Sequence, residues 1–355
     1  MNKKSVLLST VLILLMISVL STGCIDNGTE IETQTITDML GRNVEVPINI
    51  GRVVGIESGA LRLLVYMQCT DKVVGIEEIE LEDGKPYTYA HPELKNLPSI
   101  GPIHGGDAEL ITVQKPDVIF WTYATKEDAD ELQQKTGIPV VAIEYGDLSD
   151  NRECFYSALR LVGKIMDKEV RGEELISFID DAISELDSMT KDIPDADKPS
   201  CYVGGIGYRG AHGILSTEPT YSPFRFIHAK NVAGEVGSEH AFIDKEKMLE
   251  WNPGVIFVDE GGYTLVIEEL EDSTYYNLDA IKNKEVYCVL PYNWYTANLG
   301  TTLANAYYIG TVLYPDEFKD IDPKEEADEI YMEMLGTEVY EDMEEMFGGY
   351  KKMEL

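Results

Sequence analysis

The chain has 355 residues, of which 29 are basic and 64 are acidic, so its formal net charge at neutral pH is −35. Nucleic-acid binding is excluded as a function, because phosphate contacts require a basic surface. Hydrophobic residues make up 44% of the chain, which is typical of a folded globular protein and not of a disordered one.

The first 24 residues have the pattern of an export signal. Lys3 and Lys4 precede an apolar segment, 6–20, that is short for a bilayer span, and small residues follow it. This pattern predicts a signal peptide over 1–23 and lipid attachment at Cys24. Leu20 lies one place further from Cys24 than in the usual lipoprotein signal, so an uncleaved N-terminal anchor is the alternative. In both cases the rest of the chain is expected on the outer face of the cell membrane.

The region 35–150 is predicted to form an N-terminal α/β lobe. Short β-branched runs alternate there with amphipathic helical stretches, which is the pattern of a parallel sheet covered by helices. The predicted strands are 53–56, 73–77, 117–122 and 139–144. The predicted helices include 61–67 and 126–136.

The region 151–193 is predicted to be helical and to connect two lobes. Apolar residues recur at helical spacing, which predicts a helix of about twenty residues from Glu169 onward, preceded by a shorter helix through Leu159. A single rigid helix between lobes allows only small relative movement.

The region 194–355 is predicted to form a C-terminal lobe with a helical tail after Pro323. Its predicted strands are 201–206, 255–260 and 286–290, and its predicted helices include 245–251 and 299–313. The sequence therefore predicts an α/β fold with two doubly wound-like lobes joined by a single long backbone helix.

Four cysteines lie beyond the signal, namely Cys69, Cys154, Cys201 and Cys288. Their spacing matches no zinc-binding pattern. We expect buried thiols, with a disulfide between Cys201 and Cys288 as the alternative in an oxidising exterior.

Several segments carry a family resemblance. They are 37–42 (TDMLGR), 106–111 (GDAELI) followed by 115–119 (KPDVI), and 244–249 (DKEKML) followed by 252–256 (NPGVI). In this order, together with the long helix, they resemble the helical-backbone class of substrate-binding proteins that feed ABC importers. Members of that class carry iron-siderophores, haem and cobalamin.

The resemblance implies a permease and its ATPase as partners. In this class one glutamate from each lobe docks into arginine pockets of the permease, and the matching positions here are Glu109 and Glu246. The alternative is that each glutamate only complements the dipole of its helix.

Ligand contacts are expected from the loops that follow the strands of both lobes. Aromatic and polar side chains are frequent there, and flat amphipathic rings suit a bulky, partly apolar ligand. The predicted ligand-binding residues are Tyr89, His91, Trp121, Tyr123, Tyr208, Arg209, His212, Tyr292 and Trp294. Further cleft candidates are Glu57, Ser58, Tyr87, Ile103, His104, Tyr145, Glu260, Tyr263, Asn293 and Tyr295.

The Gly-rich segment 204–222 is the most polar of these loops. The guanidinium of Arg209 suits a carboxylate, phosphate or oxyanion, and pairing with Glu218 is the alternative. His212 is a candidate donor to an anion or a metal ligand, although a single loop histidine is more often hydrogen-bonded for structural reasons.

Three functions compete at this point. The favoured one is capture of an iron or cobalt chelate by a monomeric, non-enzymatic binding protein with no intrinsic cofactor. The second is the same fold binding a bare ligand, either an oxyanion such as molybdate through Arg209, Ser216 and Thr217, or a transition-metal ion through His91, His104 and His212. The third is an anchored chelatase-like enzyme, against which stands the lack of any recognised catalytic motif.

Overall fold

The computed structural model describes residues 32–238 and 240–355. The predicted signal peptide and Cys24 lie outside the described residues. Within them, no helix is both long and apolar enough to cross a membrane.

The first part of the chain builds a three-stranded parallel sheet. Strands β1 to β5 are Thr33–Thr37, Asn43–Pro47, Val53–Ile56, Val118–Thr122 and Val140–Ile143. Helices α1 to α4 are Ala60–Tyr66, Pro86–Ala90, Ala108–Gln114 and Lys126–Thr136. The sheet has the order β3-β4-β5, and its strands are almost entirely buried, as expected when helices cover a parallel sheet.

Two helices follow, α5 at Arg152–Met166 and α6 at Glu169–Thr190. Helix α6 has 22 residues and packs against α5. Its existence and starting residue agree with the sequence prediction. Residues Glu32–Leu355 form one compact unit, so the division into lobes and the connecting role of α6 stay predictions.

The last part builds a five-stranded sheet and the tail. Strands β6 to β12 are Ser200–Gly204, Ser216–Thr217, Lys230–Asn231, Ala241–Phe242, Val255–Asp259, Val286–Val289 and Lys351–Lys352. Helices α7 to α13 are Ser222–Phe226, Lys245–Trp251, Tyr263–Leu270, Asp279–Lys282, Leu299–Leu313, Pro323–Leu335 and Tyr340–Phe347. The sheet has the order β12-β11-β10-β6-β8, and only β12 is antiparallel to its neighbour.

The α/β fold class is confirmed, whereas the predicted strand at 73–77 is wrong. That segment pairs only through the isolated bridges Val53↔Val73 and Ile76↔Ser99. A 3-10 turn at Glu78–Leu81 follows directly and takes the chain away from the sheet edge. The Cys201–Cys288 disulfide is also wrong: both thiols are free and buried, because β10 lies between β6 and β11.

The segment 37–42 has a structural role that its sequence did not reveal. Asp38 and Arg42 form a buried ion pair at the turn between β1 and β2. The Asp38 carboxylate also accepts the Ala142 amide, and Arg42 donates to the Val140 carbonyl and to Asp130. The ion pair therefore holds the β1–β2 hairpin against β5 and α4.

Replacing Arg42 by Met should destabilise the protein by about 3–5 kcal/mol, because the Asp38 carboxylate stays buried after its cation is removed. Urea unfolding followed by circular dichroism measures the change. Arg160→Met is the matched control, since Arg160 forms an exposed pair with Glu173. Equal small losses in both variants would contradict the anchoring role of Arg42.

Candidate functional site

The candidate site is formed by loops at the carboxyl ends of strands in both sheets. Glu57 follows β3, Tyr123 follows β4 and Tyr145 comes two residues after β5. In the second sheet, Tyr208 lies beyond β6 and the loop 291–298 leads from β11 to α11. Parallel strands place their carboxyl ends at one edge of a sheet, which is where α/β proteins bind ligands.

Left-handed backbone is concentrated in these loops. Among the described residues, twelve non-glycine positions have positive φ, and half of them belong to this site. They are Glu57, His104, Tyr123, Arg209, Tyr295 and Thr296. Such conformations cost free energy and persist where the surroundings fix them, often at functional sites.

Arg62 of α1 joins the first set of loops to the loop 291–298. Its guanidinium is buried and donates to the carbonyls of Trp294 (3.1 Å), Tyr295 (3.0 Å) and Ala297 (2.8 Å). It also donates to the Tyr145 hydroxyl at 3.0 Å. The sequence did not indicate Arg62 as a site residue, because its neighbours in α1 are apolar and the segment predicted only a core helix.

A second set of contacts links the same loop to Glu77. The Tyr295 hydroxyl donates to the Glu77 carboxylate at 2.8 Å, and the amides of Glu57 and Gly105 donate to the same carboxylate. Burial raises the pKa of Glu77 above its ordinary value. His104 donates from Nδ1 to the Glu57 carboxylate at 2.6 Å, so Glu57 and His104 form one network with Glu77 and Tyr295.

An aromatic cluster is formed by residues that follow β6 in the chain. The rings of Tyr208 and His240 stack with their centroids 4.5 Å apart, and Phe242 meets His212 and His240 edge-on. Burial, followed by the proximity of His212, lowers the pKa of His240. The sequence did not indicate His240 and Phe242 as site residues. They lie beside and within the two-residue strand β9, where no buried apolar run marks the end of a strand.

The structure separates Arg209 from Glu218, so the alternative of an ion pair between them is wrong. Arg209 is exposed, with its guanidinium 5.6 Å from the Tyr208 ring centroid. Glu218 instead accepts the hydroxyl of buried Tyr292. His212 donates from Nε2 to the Tyr208 carbonyl at 2.7 Å, which is the structural role weighed for it.

The two predicted tryptophans both lie at the site. Trp121 is at the end of β4, and its ring packs against Gly105. Trp294 is 38% exposed, and the buried ammonium of Lys85 lies 5.9 Å from its ring centroid. Burial lowers the pKa of Lys85 to about 8.

Comparison with known proteins identifies the family. Residues 53–291 match the model described as "Periplasmic binding protein". The chain belongs to this family. The resemblance to ABC-importer substrate-binding proteins is thereby confirmed, and so is an extracytoplasmic place of action.

Two relatives and one solved structure indicate the range of ligands in the family. The molybdate-binding protein MolA of Haemophilus influenzae is 28% identical over 325 residues, covering 85% of this chain and 91% of MolA. The petrobactin-binding protein YclQ of Bacillus subtilis is 22% identical over 294 residues, covering 79% of this chain and 87% of YclQ. The structure of MolA bound to molybdate matches with a TM-score of 0.69 and 25% identity, covering 86% of this chain and 98% of that chain.

Two predicted ligand residues of this periplasmic binding protein lie apart from the loops described above. Tyr89 accepts the Gly84 amide, and His91 donates from Nε2 to the Leu335 carbonyl at the end of α12. The Tyr89 side chain therefore contacts the segment that precedes its own helix α2, and His91 contacts the helical tail. The chain leaves the strand-end region after β3, and the residues of α2 do not follow a strand directly.

Two hydroxyl groups proposed for a bare oxyanion are already engaged. The hydroxyls of Ser216 and Thr217 are buried and donate to the carbonyls of Ile206 and Val203. Within 32–238 and 240–355, no group of three or more His, Cys, Asp or Glu side chains is arranged to hold a metal ion. An oxyanion site would therefore need donors other than those two hydroxyls.

The predicted docking glutamates occupy equivalent places in two similar helices. Glu109 in α3 and Glu246 in α8 are each the second residue of a seven-residue helix whose N-cap is an aspartate. Each helix ends at a left-handed residue that precedes a proline and a buried strand. Both glutamates are exposed, and neither forms an ion pair among the residues that the structure describes.

Two acids at the end of β10 are buried behind the loop 291–298. Burial raises the pKa of Asp259 to about 8 and that of Glu260 to about 7. Asp259 accepts the Gly261 amide through Oδ1, whereas Oδ2 has no hydrogen-bond partner among the described residues. The folded protein therefore favours the protonated form of Asp259.

Unfolding free energy should fall as the pH rises from 5 to 8. A raised pKa means that the folded protein keeps this proton at pH values at which the unfolded chain has released it. The stabilisation that the bound proton gives is therefore lost as the pH rises towards 8. One such group contributes a slope of at most about 1.4 kcal/mol per pH unit. Asp259→Asn should reduce the slope in urea unfolding at pH 5, 6.5 and 8. Asp83→Asn, an exposed control, should leave the slope unchanged, and an unchanged slope in Asp259→Asn would contradict the assignment.

Proposed function

We propose that this protein captures a metal-containing solute outside the cell and delivers it to the permease and ATPase of an ABC importer. The observation that carries this proposal is the single network in which Arg62, Glu77 and Tyr145 hold the loop 291–298 of one sheet against the strand-end loops of the other. Such an arrangement brings side chains from both sheets to one place, as a solute receptor requires. We further propose that Cys24 carries the lipid that anchors the protein.

The ligand that we favour is an oxyanion of the molybdate class. MolA, which binds molybdate, matches over nearly its whole length, whereas the siderophore-binding relative matches at lower identity. The buried guanidinium of Arg62 also supports an anion, since it has no carboxylate partner among the described residues and leaves a positive charge at the site. This choice replaces the chelate that the aromatic pattern had favoured.

An anionic metal chelate is the second candidate. Four aromatic side chains of the site are unusually exposed, and a small oxyanion would leave most of their surface uncovered. They are Tyr123 (52%), Tyr208 (44%), Phe242 (59%) and Trp294 (38%). A flat or bulky ligand would stack on these rings.

Binding should be detectable by tryptophan fluorescence, because Trp121 and Trp294 both lie at the site. We expect saturable quenching of residues 25–355 by sodium molybdate and by tungstate. Ferric siderophores, haem and cobalamin tested in the same assay distinguish the second candidate. If none of these compounds changes the fluorescence or gives heat by calorimetry, a receptor for metal-containing solutes is the wrong function.

The permease contact is tested by replacing Glu109 and Glu246 together with Ala. Uptake in cells that carry the importer should be lost, while ligand affinity of the purified variant stays unchanged, because both carboxylates lie on exposed helix starts. The variant with Glu127→Ala and Glu268→Ala, two exposed acids on other helices, is the matched control. A parallel loss of affinity in the first variant would place these glutamates in the ligand site instead.

A further inference from the structure

The loop 291–298 carries two peptide groups whose orientation is set by Arg62. The carbonyls of Trp294 and Tyr295 both accept hydrogen bonds from Nη2 of Arg62, at 3.1 and 3.0 Å. The described residues contain no cis peptide bond. In a trans peptide the N–H points opposite to the carbonyl of the same group. The N–H groups of Tyr295 and Thr296 therefore point away from Arg62.

These two N–H groups have no hydrogen-bond acceptor among the described residues, although the hydroxyl of Tyr295 donates to Glu77. Tyr295 and Thr296 have φ angles of 52° and 61°, so two successive residues are left-handed. Successive backbone N–H groups in such turns form a concave surface that binds anions. Both residues are only half-buried.

Arg62 and the two peptide dipoles favour an anion on the N–H side of this turn. Arg62 is fully buried behind the two carbonyls, so its charge and the two peptide dipoles act in the same direction. Three carboxylates lie nearby, and each accepts hydrogen bonds; buried Glu80 accepts the hydroxyl of Tyr87. Glu77 accepts three donors, and Glu57 accepts His104 and the Ser58 amide.

We infer that the amides of Tyr295 and Thr296 form the binding site for a tetrahedral oxyanion of the molybdate class, with Arg62 as the residue that positions them. This inference rests on the proposed function and specifies its ligand and contacts. The hydroxyl of Tyr123, which lies 3.1 Å from the Thr296 hydroxyl, borders the same turn. The Nη atoms of Arg62 are used by carbonyls and by Tyr145, whereas its buried Nε has no hydrogen-bond partner among the described residues.

Titration of the ¹⁵N-labelled protein with sodium molybdate tests the contact directly. The amide protons of Tyr295 and Thr296 should move downfield and saturate at the same molybdate concentration as the tryptophan fluorescence. If molybdate binds while these two amides do not move, the inference is wrong and the receptor function stands. If only a chelate binds, the oxyanion class is wrong and the receptor function again stands.

The positioning role is tested by Arg62→Lys, which keeps the charge but cannot reach several carbonyls at once. We expect at least a tenfold loss of molybdate affinity, together with changed chemical shifts of Tyr295 and Thr296 in the free protein. Tyr145→Phe removes one bond to Ala297 and one acceptor of Arg62 and should give a smaller loss, which keeps the test informative if Arg62→Lys fails to fold. Arg160→Met is the control and should bind normally. Unchanged affinity in a folded Arg62→Lys protein would overturn the positioning role.

Discussion

The site depends on one buried cation. A guanidinium without a carboxylate partner is unfavourable in a protein interior unless oxygen atoms replace its water shell. Arg62 meets this requirement with three carbonyls of the loop 291–298 and one tyrosine hydroxyl. Its ring neighbours add to this, since the guanidinium carbon lies 4.8 Å from the Tyr87 centroid and 5.5 Å from the Tyr145 centroid. The loop after β11 is thereby fixed to α1, although the two are separated by more than half of the chain.

The overall negative charge does not contradict an anionic ligand. Charges on the exposed surface are screened within about 8 Å at physiological ionic strength, so they act on the rate of approach more than on affinity. The affinity is decided by the groups next to the ligand. At this site those groups include the buried cations Arg62 and Lys85 and the exposed Arg209, while Glu57 and Glu77 are engaged in hydrogen bonds. The total charge of the chain therefore does not decide the charge of the ligand.

Much of the fold was predictable because periodicity and end signals agree in the regular elements. Helices α4, α8 and α11 have the predicted bounds, and the buried strands β3, β4 and β10 lie within a residue or so of their predicted limits. The hairpin β1–β2 was missed, since its stability comes from Asp38 and Arg42 meeting distant residues of β5 and α4. The predicted strand 73–77 is wrong because its local pattern is that of a strand, whereas its pairing with neighbouring segments is limited to single bridges.

The candidate site was predictable in place but not in detail. The predicted residues Trp121, Tyr123, Tyr208, Arg209, His212, Tyr292 and Trp294 lie at or after strand ends of the two sheets, and their contact with a ligand stays a prediction. Arg62 could not be found, because a cation inside an apolar helix is recognisable as a site residue only when its distant carbonyl partners are known. His240 and Phe242 join the site through stacking on Tyr208 and His212, which no sequence spacing indicates.

The left-handed residues explain why this arrangement suits a receptor. Holding Tyr295 and Thr296 at positive φ costs about 1–3 kcal/mol each, and hydrogen bonds from Arg62 and to Glu77 offset that cost. The turn is therefore shaped by contacts within the chain, so a ligand does not have to order it on binding. Preorganisation of this kind lets a small ligand bind with few contacts, because less conformational entropy is lost.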